Sequence, residues 1–139
     1  AFRFNDPVYR WIETRYGLVR PEFVALYAVG LKGGVAAKNI VASAGLPKNT
    51  LSRAIQKLLE RRLLKRESDP DDLRSYVLAL TPAGRAIFDE TMPRMVQQQA
   101  AMLGALSEAE QKQLCELLDK MVIASPTWPV DLEPEGNPS

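Results

Sequence analysis

Histidine is absent from the chain, and cysteine occurs once, at Cys115. The first absence removes the usual general base, the Ser-His and Cys-His nucleophile pairs and the commonest metal ligand. A single cysteine excludes an internal disulfide and a cysteine-rich zinc site. Phosphate-cradling loops are missing as well, since Gly33-Gly34 is a lone pair without the lysine spacing of a P-loop. No stretch approaches the roughly 18 uninterrupted apolar residues of a membrane helix, and Ala1 to Pro7 holds no apolar signal-peptide core. The acids Asp69, Asp71 and Asp72 lie close together but lack the glycine and distal glutamate of an EF-hand. The expectation is a cytoplasmic chain that is not an enzyme, carries no metal or other cofactor, and does not associate with a membrane.

What is present is an uneven distribution of charge. The 139 residues carry a formal net charge of +1, with 46% apolar residues, enough for one packed domain. Between Lys32 and Arg66, however, nine basic residues face a single acid, Glu60, so this segment carries +8 and the remainder −7. A basic stretch inside an otherwise acidic chain suggests an anionic partner, nucleic acid first. By charge alone, a solvated helix face explains it equally well.

Periodicity supplies the elements. Val8, Trp11, Ile12 and Tyr16 predict a helix over 7–16 with Pro7 near its start, closed by Gly17. A second helix from Pro21 carries Phe23, Leu26, Tyr27 and Leu31. A short third helix is predicted over 36–44 with Ile40 and Val41 inward, then a Gly45-Leu46-Pro47 turn and a fourth helix over 48–63. In the fourth, Leu51, Ala54, Ile55, Leu58 and Leu59 recur at the spacing of one buried stripe. Residues 63–67 and 75–80 read as strands of an antiparallel hairpin around the turn residues Ser68 to Asp72. Thr81-Pro82 opens a long helix to about Ala105, in which Pro93 should introduce a kink. Ser107 to Glu110 forms a capping box for a last helix to about Ile123, with Leu114, Leu117, Leu118 and Met121 on one face.

Two helices joined by a glycine turn make a helix-turn-helix, and a hairpin directly after them makes it winged. The fold class expected is therefore mainly α with a small β-hairpin wing. A recognition helix needs one apolar face against the core and one polar, basic face for the major groove. The fourth helix has both, with Lys48, Asn49, Thr50, Ser52, Arg53, Gln56 and Lys57 as candidates for contact with double-stranded DNA. Asn49 and Gln56 can read adenine and Arg53 guanine. Lys38, Lys48 and Lys57 suit phosphates, which position a protein without reading sequence.

The segments Gly17-Leu18-Val19-Arg20-Pro21-Glu22-Phe23, Lys48 to Arg53, Leu58 to Leu64, Asp69-Pro70-Asp71-Asp72-Leu73-Arg74 and Leu80-Thr81-Pro82-Ala83-Gly84-Arg85 together resemble the MarR (multiple-antibiotic-resistance regulator) family of winged-helix transcriptional regulators. The resemblance runs from about Tyr16 to Val122. It implies that Arg74 is the wing arginine of the minor groove and Asp72 the aspartate that steadies the wing. Leu73 stands where family members often carry a second arginine. It implies a homodimer, with residues 1–17 and 81–124 as dimerisation helices and 18–80 as the DNA-binding lobe, all within one domain, 1–124. Met92, Met95, Val96, Met102, Leu103 and Leu106 exceed what one small domain covers easily, which agrees. The resemblance further implies a repressor of a pseudo-palindromic operator, released by a small apolar or aromatic effector in a crevice that Trp11, Tyr16, Tyr27 and Phe88 could line. The same four residues also suit plain core. Residues 125–139, with four prolines and three acids, read as a tail. The rival reading is a winged-helix module for protein interaction.

Overall fold

The computed structural model describes residues 2–129, so the expected tail lies outside the described residues from 130 onward. The chain forms two compact units, Ala1–Gln99 and Ala100–Ser139. The order is α1 (Phe2–Tyr16), α2 (Arg20–Lys32), α3 (Ala37–Ala44), α4 (Lys48–Glu60), β1 (Leu64–Ser68), β2 (Tyr76–Leu80), α5 (Pro82–Leu103), α6 (Glu108–Ala124) and a 3-10 turn, Ser125–Thr127. This is the mainly helical fold with a two-stranded wing that the sequence predicts.

Two helix boundaries differ by three residues or more from the sequence expectation, and one bridge is added to the wing. The first helix begins at Phe2, so Pro7 sits inside α1 and removes one ladder hydrogen bond there. The fourth ends at Glu60 because residues 61–63 form a Schellman turn. Arg62 N–H donates to Leu59 O at 3.0 Å and Leu63 N–H to Leu58 O at 2.9 Å. Arg62 takes the left-handed position of that motif, at φ 57°, where glycine is usual. Finally, Val35 adds a bridge to the wing, exchanging 3.0 and 2.8 Å hydrogen bonds with Leu78. β1 and β2 pair antiparallel from Leu64↔Leu80 to Ser68↔Tyr76. Pro93 lies within α5, which continues through it.

The core of the first unit is built by every element from α1 to α5. Ile12, Phe23, Leu26, Val29, Ile40, Leu51, Leu58, Leu64 and Leu78 are all fully buried. Burying each such side chain contributes about 1.5–3 kcal/mol. α4 delivers Leu51, Ala54, Ile55 and Leu58 to this core at i, i+3, i+4 and i+7, which leaves its other face to solvent. α5 starts where Thr81 Oγ1 accepts the Gly84 N–H at 3.1 Å and donates to Arg62 O at 2.6 Å. That cap joins α5 to the turn after α4.

In the second unit, Ser107 and Glu110 form the capping box expected of them, with bonds of 2.9 and 3.2 Å. The backbone and side chain of Ser107 hold the Glu110 carboxyl below its ordinary pKa. Gln111 Nε2 donates to Leu103 O and Leu106 O. α6 buries none of its residues: Leu117, Leu118, Met121, Val122 and Ile123 are all exposed. No helix among the described residues is long and apolar enough to cross a membrane.

Candidate nucleic-acid interface

Because Leu51, Ala54, Ile55 and Leu58 face inward, the intervening residues of α4 must face out. Lys48, Asn49, Ser52, Arg53, Gln56 and Lys57 are exposed and Thr50 is half-buried. Asn49, Arg53 and Gln56 fall at i, i+4 and i+7, on one stripe of the helix surface. Gln56 makes a long 3.5 Å contact with Glu60. Arg53, Thr50 and Lys57 share a shallow groove with Val19 and Pro21 at the start of α2.

Lys57 has a partner inside the protein. Its Nζ lies 3.8 Å from Glu22 Oε1, and Glu22 is almost wholly buried. The other oxygen of Glu22 accepts the Val19 N–H at 3.0 Å, capping α2. The buried carboxylate thus has one charge partner and one backbone donor, as burial demands. The Val19-to-Glu22 spacing carries half of a capping-box signal, the glutamate without the serine or threonine.

The wing brings its two singled-out residues together. Asp72 Oδ1 accepts the Arg74 N–H at 3.0 Å. Asp69 Oδ1 accepts the Asp71 N–H at 2.9 Å, and Ser75 N–H donates to Asp72 O at 3.0 Å. The acids therefore order the loop 69–75 through its own backbone. Among the described residues no group of three His, Cys, Asp or Glu could hold a metal ion. Lys38, on α3, lines the same groove of about 490 Å³ as Asp72, Arg74, Ser75 and Tyr76. Two cations from separate elements thus border one open channel beside α4's neighbour in the helix-turn-helix. Near the tip end of the wing strands, the Arg66 guanidinium lies 5.1 Å from the Tyr76 ring centroid.

Other cations of the basic segment serve the fold. Arg61 donates from Nη2 to Tyr16 O at 2.7 Å and from Nη1 to Gly17 O at 3.2 Å. Lys65 pairs with Glu67 at 3.1 Å. Charge counting could not separate these from cations facing a ligand, because pairing partners far along the chain are invisible to it.

The four aromatic residues named as candidates for an effector crevice occupy different surroundings. Phe88 is buried in the core, 5.8 Å from the Tyr27 ring, which in turn lies 5.8 Å from Phe23. Tyr27 also borders an apolar groove of about 320 Å³ with Val24, Ala28 and Leu31. Trp11 lines a different cleft, of about 250 Å³, with Val8, Arg94, Gln97 and Gln98. There the Arg94 guanidinium sits 4.4 Å from the indole centroid. Tyr16 packs edge-on against Trp11 at 5.9 Å. Its hydroxyl is buried and faces Glu90 without the geometry of a full hydrogen bond. Burial, then the Glu90 carboxylate, push the Tyr16 phenol above its usual pKa. The Tyr16 hydroxyl and the Arg15 guanidinium, whose Nε lies 2.6 Å from Glu90 Oε1, hold the Glu90 carboxyl below its usual range.

Known proteins share this fold and resemble this sequence over most of its length. A sequence model of the MarR family matches residues 16–75. The chain is similar to the transcriptional regulator HosA of Escherichia coli O111:H-, at 29% identity over 121 residues, spanning 87% of this chain and 90% of that protein. Its fold is similar to the crystal structure of a MarR-family transcriptional regulator from Silicibacter pomeroyi, at 31% identity and a TM-score of 0.77, covering 93% of this chain and 84% of that one. It is similar also to Bordetella bronchiseptica BpsR, whose DNA binding is regulated by 6-hydroxynicotinic acid, at 28% identity and a TM-score of 0.66, covering 86% and 93%.

Proposed function

The chain belongs to the MarR family of transcriptional regulators, and from that premise we propose that it is a homodimeric repressor that reads a pseudo-palindromic operator. Its matched relatives are regulators of transcription rather than enzymes. In this reading α4 enters the major groove, Arg53 pairs with a guanine edge, and Asn49 and Gln56 read adenine. Thr50 and Ser52 hydrogen-bond within the same groove, while Lys38, Lys48 and Lys57 contact phosphates. Arg74 enters the minor groove, whose narrow form attracts arginine, with Asp72 holding its backbone. The observation that carries the reading is the exposed Asn49-Arg53-Gln56 stripe beside a wing whose tip is ordered around Arg74.

The dimer reading rests on α6, which exposes a run of apolar residues that a second copy would cover. An effector of small aromatic type fits the Trp11 cleft, where Arg94 and two glutamine amides stand beside an indole face. BpsR, similar in fold and regulated by an aromatic acid, supports that class. Tyr16 stands behind Trp11, while Tyr27 and Phe88 shape the wall of core beside the second groove.

Alanine variants test the groove assignments. Arg53→Ala is expected to cost about 1–3 kcal/mol on a selected operator and to relax preference at one base position per half-site. Arg74→Ala is expected to weaken binding with at most a change in A·T preference at the flanks. Both should fold normally, as both side chains are exposed. Wild-type binding by both variants would instead favour a module for protein interaction.

A further inference from the structure

Arg61 belongs by sequence to the basic segment, yet its fork is committed to the end of α1. Tyr16 O and Gly17 O are carbonyls at a helix C-terminus, where no intrahelical donor reaches them. Gly17, at φ 66°, turns the chain there, and the two carbonyls meet the two terminal nitrogens of one guanidinium at 2.7 and 3.2 Å. A cation at this end also faces the negative pole of the α1 dipole. On its other side, Arg61 is the cap of α4. Its own N–H bonds Lys57 O at 2.9 Å, and the Schellman turn with left-handed Arg62 fixes the chain directly after it. The turn is held in addition by Thr81 through Arg62 O. Arg61 therefore cannot shift without moving the end of α4.

The lever is long. From Arg61 to Asn49 the helix spans roughly 18 Å, at about 1.5 Å per residue. A tilt of about 5° at the cap moves Asn49 by roughly 1.5 Å, half the length of a hydrogen bond. Base readout does not survive such an error. The same end of α1 carries Arg15 and Tyr16, which face Glu90 on α5. One short segment thus joins α4, α1 and α5.

We propose that Arg61 is a positioning residue for DNA recognition, clamping the last carbonyls of α1 so that α4 stands at the angle its outward stripe needs. This rests on the reading of α4 as the recognition helix. It assigns Arg61 no contact with DNA, against the role its charge suggests.

The test uses the full chain and a duplex that the wild type selects from a randomised library. Arg61→Ala, Arg61→Lys and Lys48→Ala are titrated against it across a range of salt, at a temperature where circular dichroism shows each fully folded. Arg61→Ala is expected to lose about tenfold in affinity, as loss of a bidentate charged clamp allows, with the salt slope of the wild type. Arg61→Lys should be impaired as well, because an ammonium cannot replace a planar two-carbonyl fork; it keeps the charge at the end of α1 and so covers the case in which the alanine variant does not fold. Lys48→Ala should instead lower the slope by about 0.9, as one phosphate contact does. A slope reduced in Arg61→Ala and restored in Arg61→Lys would make Arg61 a phosphate contact and overturn the proposal. Unchanged affinity in both Arg61 variants would reduce it to an ordinary helix cap. A wild type that selects no duplex would remove the recognition-helix reading itself, and the role of Arg61 with it.

Discussion

Two residues at the junction of α4, the wing and α5 show how little freedom the backbone has there. A Cβ on Gly84 would lie 2.1 Å from Leu63 O, an atom of the main chain that no side-chain rotation can move. The glycine in Leu80-Thr81-Pro82-Ala83-Gly84 is thus required by the close approach of α5 to the end of α4. Arg62 presents the opposite case, a side chain held at φ 57° where glycine would be relaxed. Gly84→Ala is expected to cost at least about 2 kcal/mol, as overpacking against an immobile partner does. Arg62→Gly is expected to gain about 0.5–1 kcal/mol, the relief of left-handed strain less the added freedom of the unfolded chain. Urea denaturation of the two variants beside the wild type measures both, and equal midpoints for all three would contradict the geometry of this junction.

At the scale of elements, the helices and the hairpin were legible because each carries a local signal. The Leu51 to Leu58 stripe, the Thr81-Pro82 start and the Ser107 to Glu110 box all act within a few residues, and all stand in the structure as the sequence predicts. What was not legible is long-range. Val35 pairs with Leu78, and Arg61 with the end of α1, across more than forty positions each. The surroundings of the aromatic residues are long-range for a related reason: Trp11, Tyr16, Tyr27 and Phe88 share composition, but which face each turns is decided by partners elsewhere, so Phe88 joins the core beside Tyr27 while Trp11 meets Arg94. The wing supports a prediction of its own. Asp72→Ala removes the acceptor of the Arg74 N–H, worth about 1 kcal/mol. The loop 69–75 should then exchange its amide hydrogens faster, and DNA affinity should fall about threefold to tenfold with the salt slope unchanged. Unchanged exchange in the loop would mean that Asp72 does not hold it.

For the whole molecule, the proposed function assigns the exposed apolar face of α6 and the basic face around α4 to different partners. The first fits a second copy of the chain, and sedimentation equilibrium at micromolar concentration should give twice the chain mass. A monomer there would remove the two-fold symmetry on which the operator reading depends. The second face fits DNA, and selection of a binding site from a randomised duplex library by the unmodified protein measures that most directly. The expected product is an inverted repeat with half-sites about 10 base pairs apart centre to centre, bound with a steep loss of affinity as salt rises, each neutralised phosphate adding a slope of roughly −0.9 in log units. Recovery of no common sequence, with weak binding that is equal for every duplex, would contradict the assignment of this chain as a sequence-reading regulator.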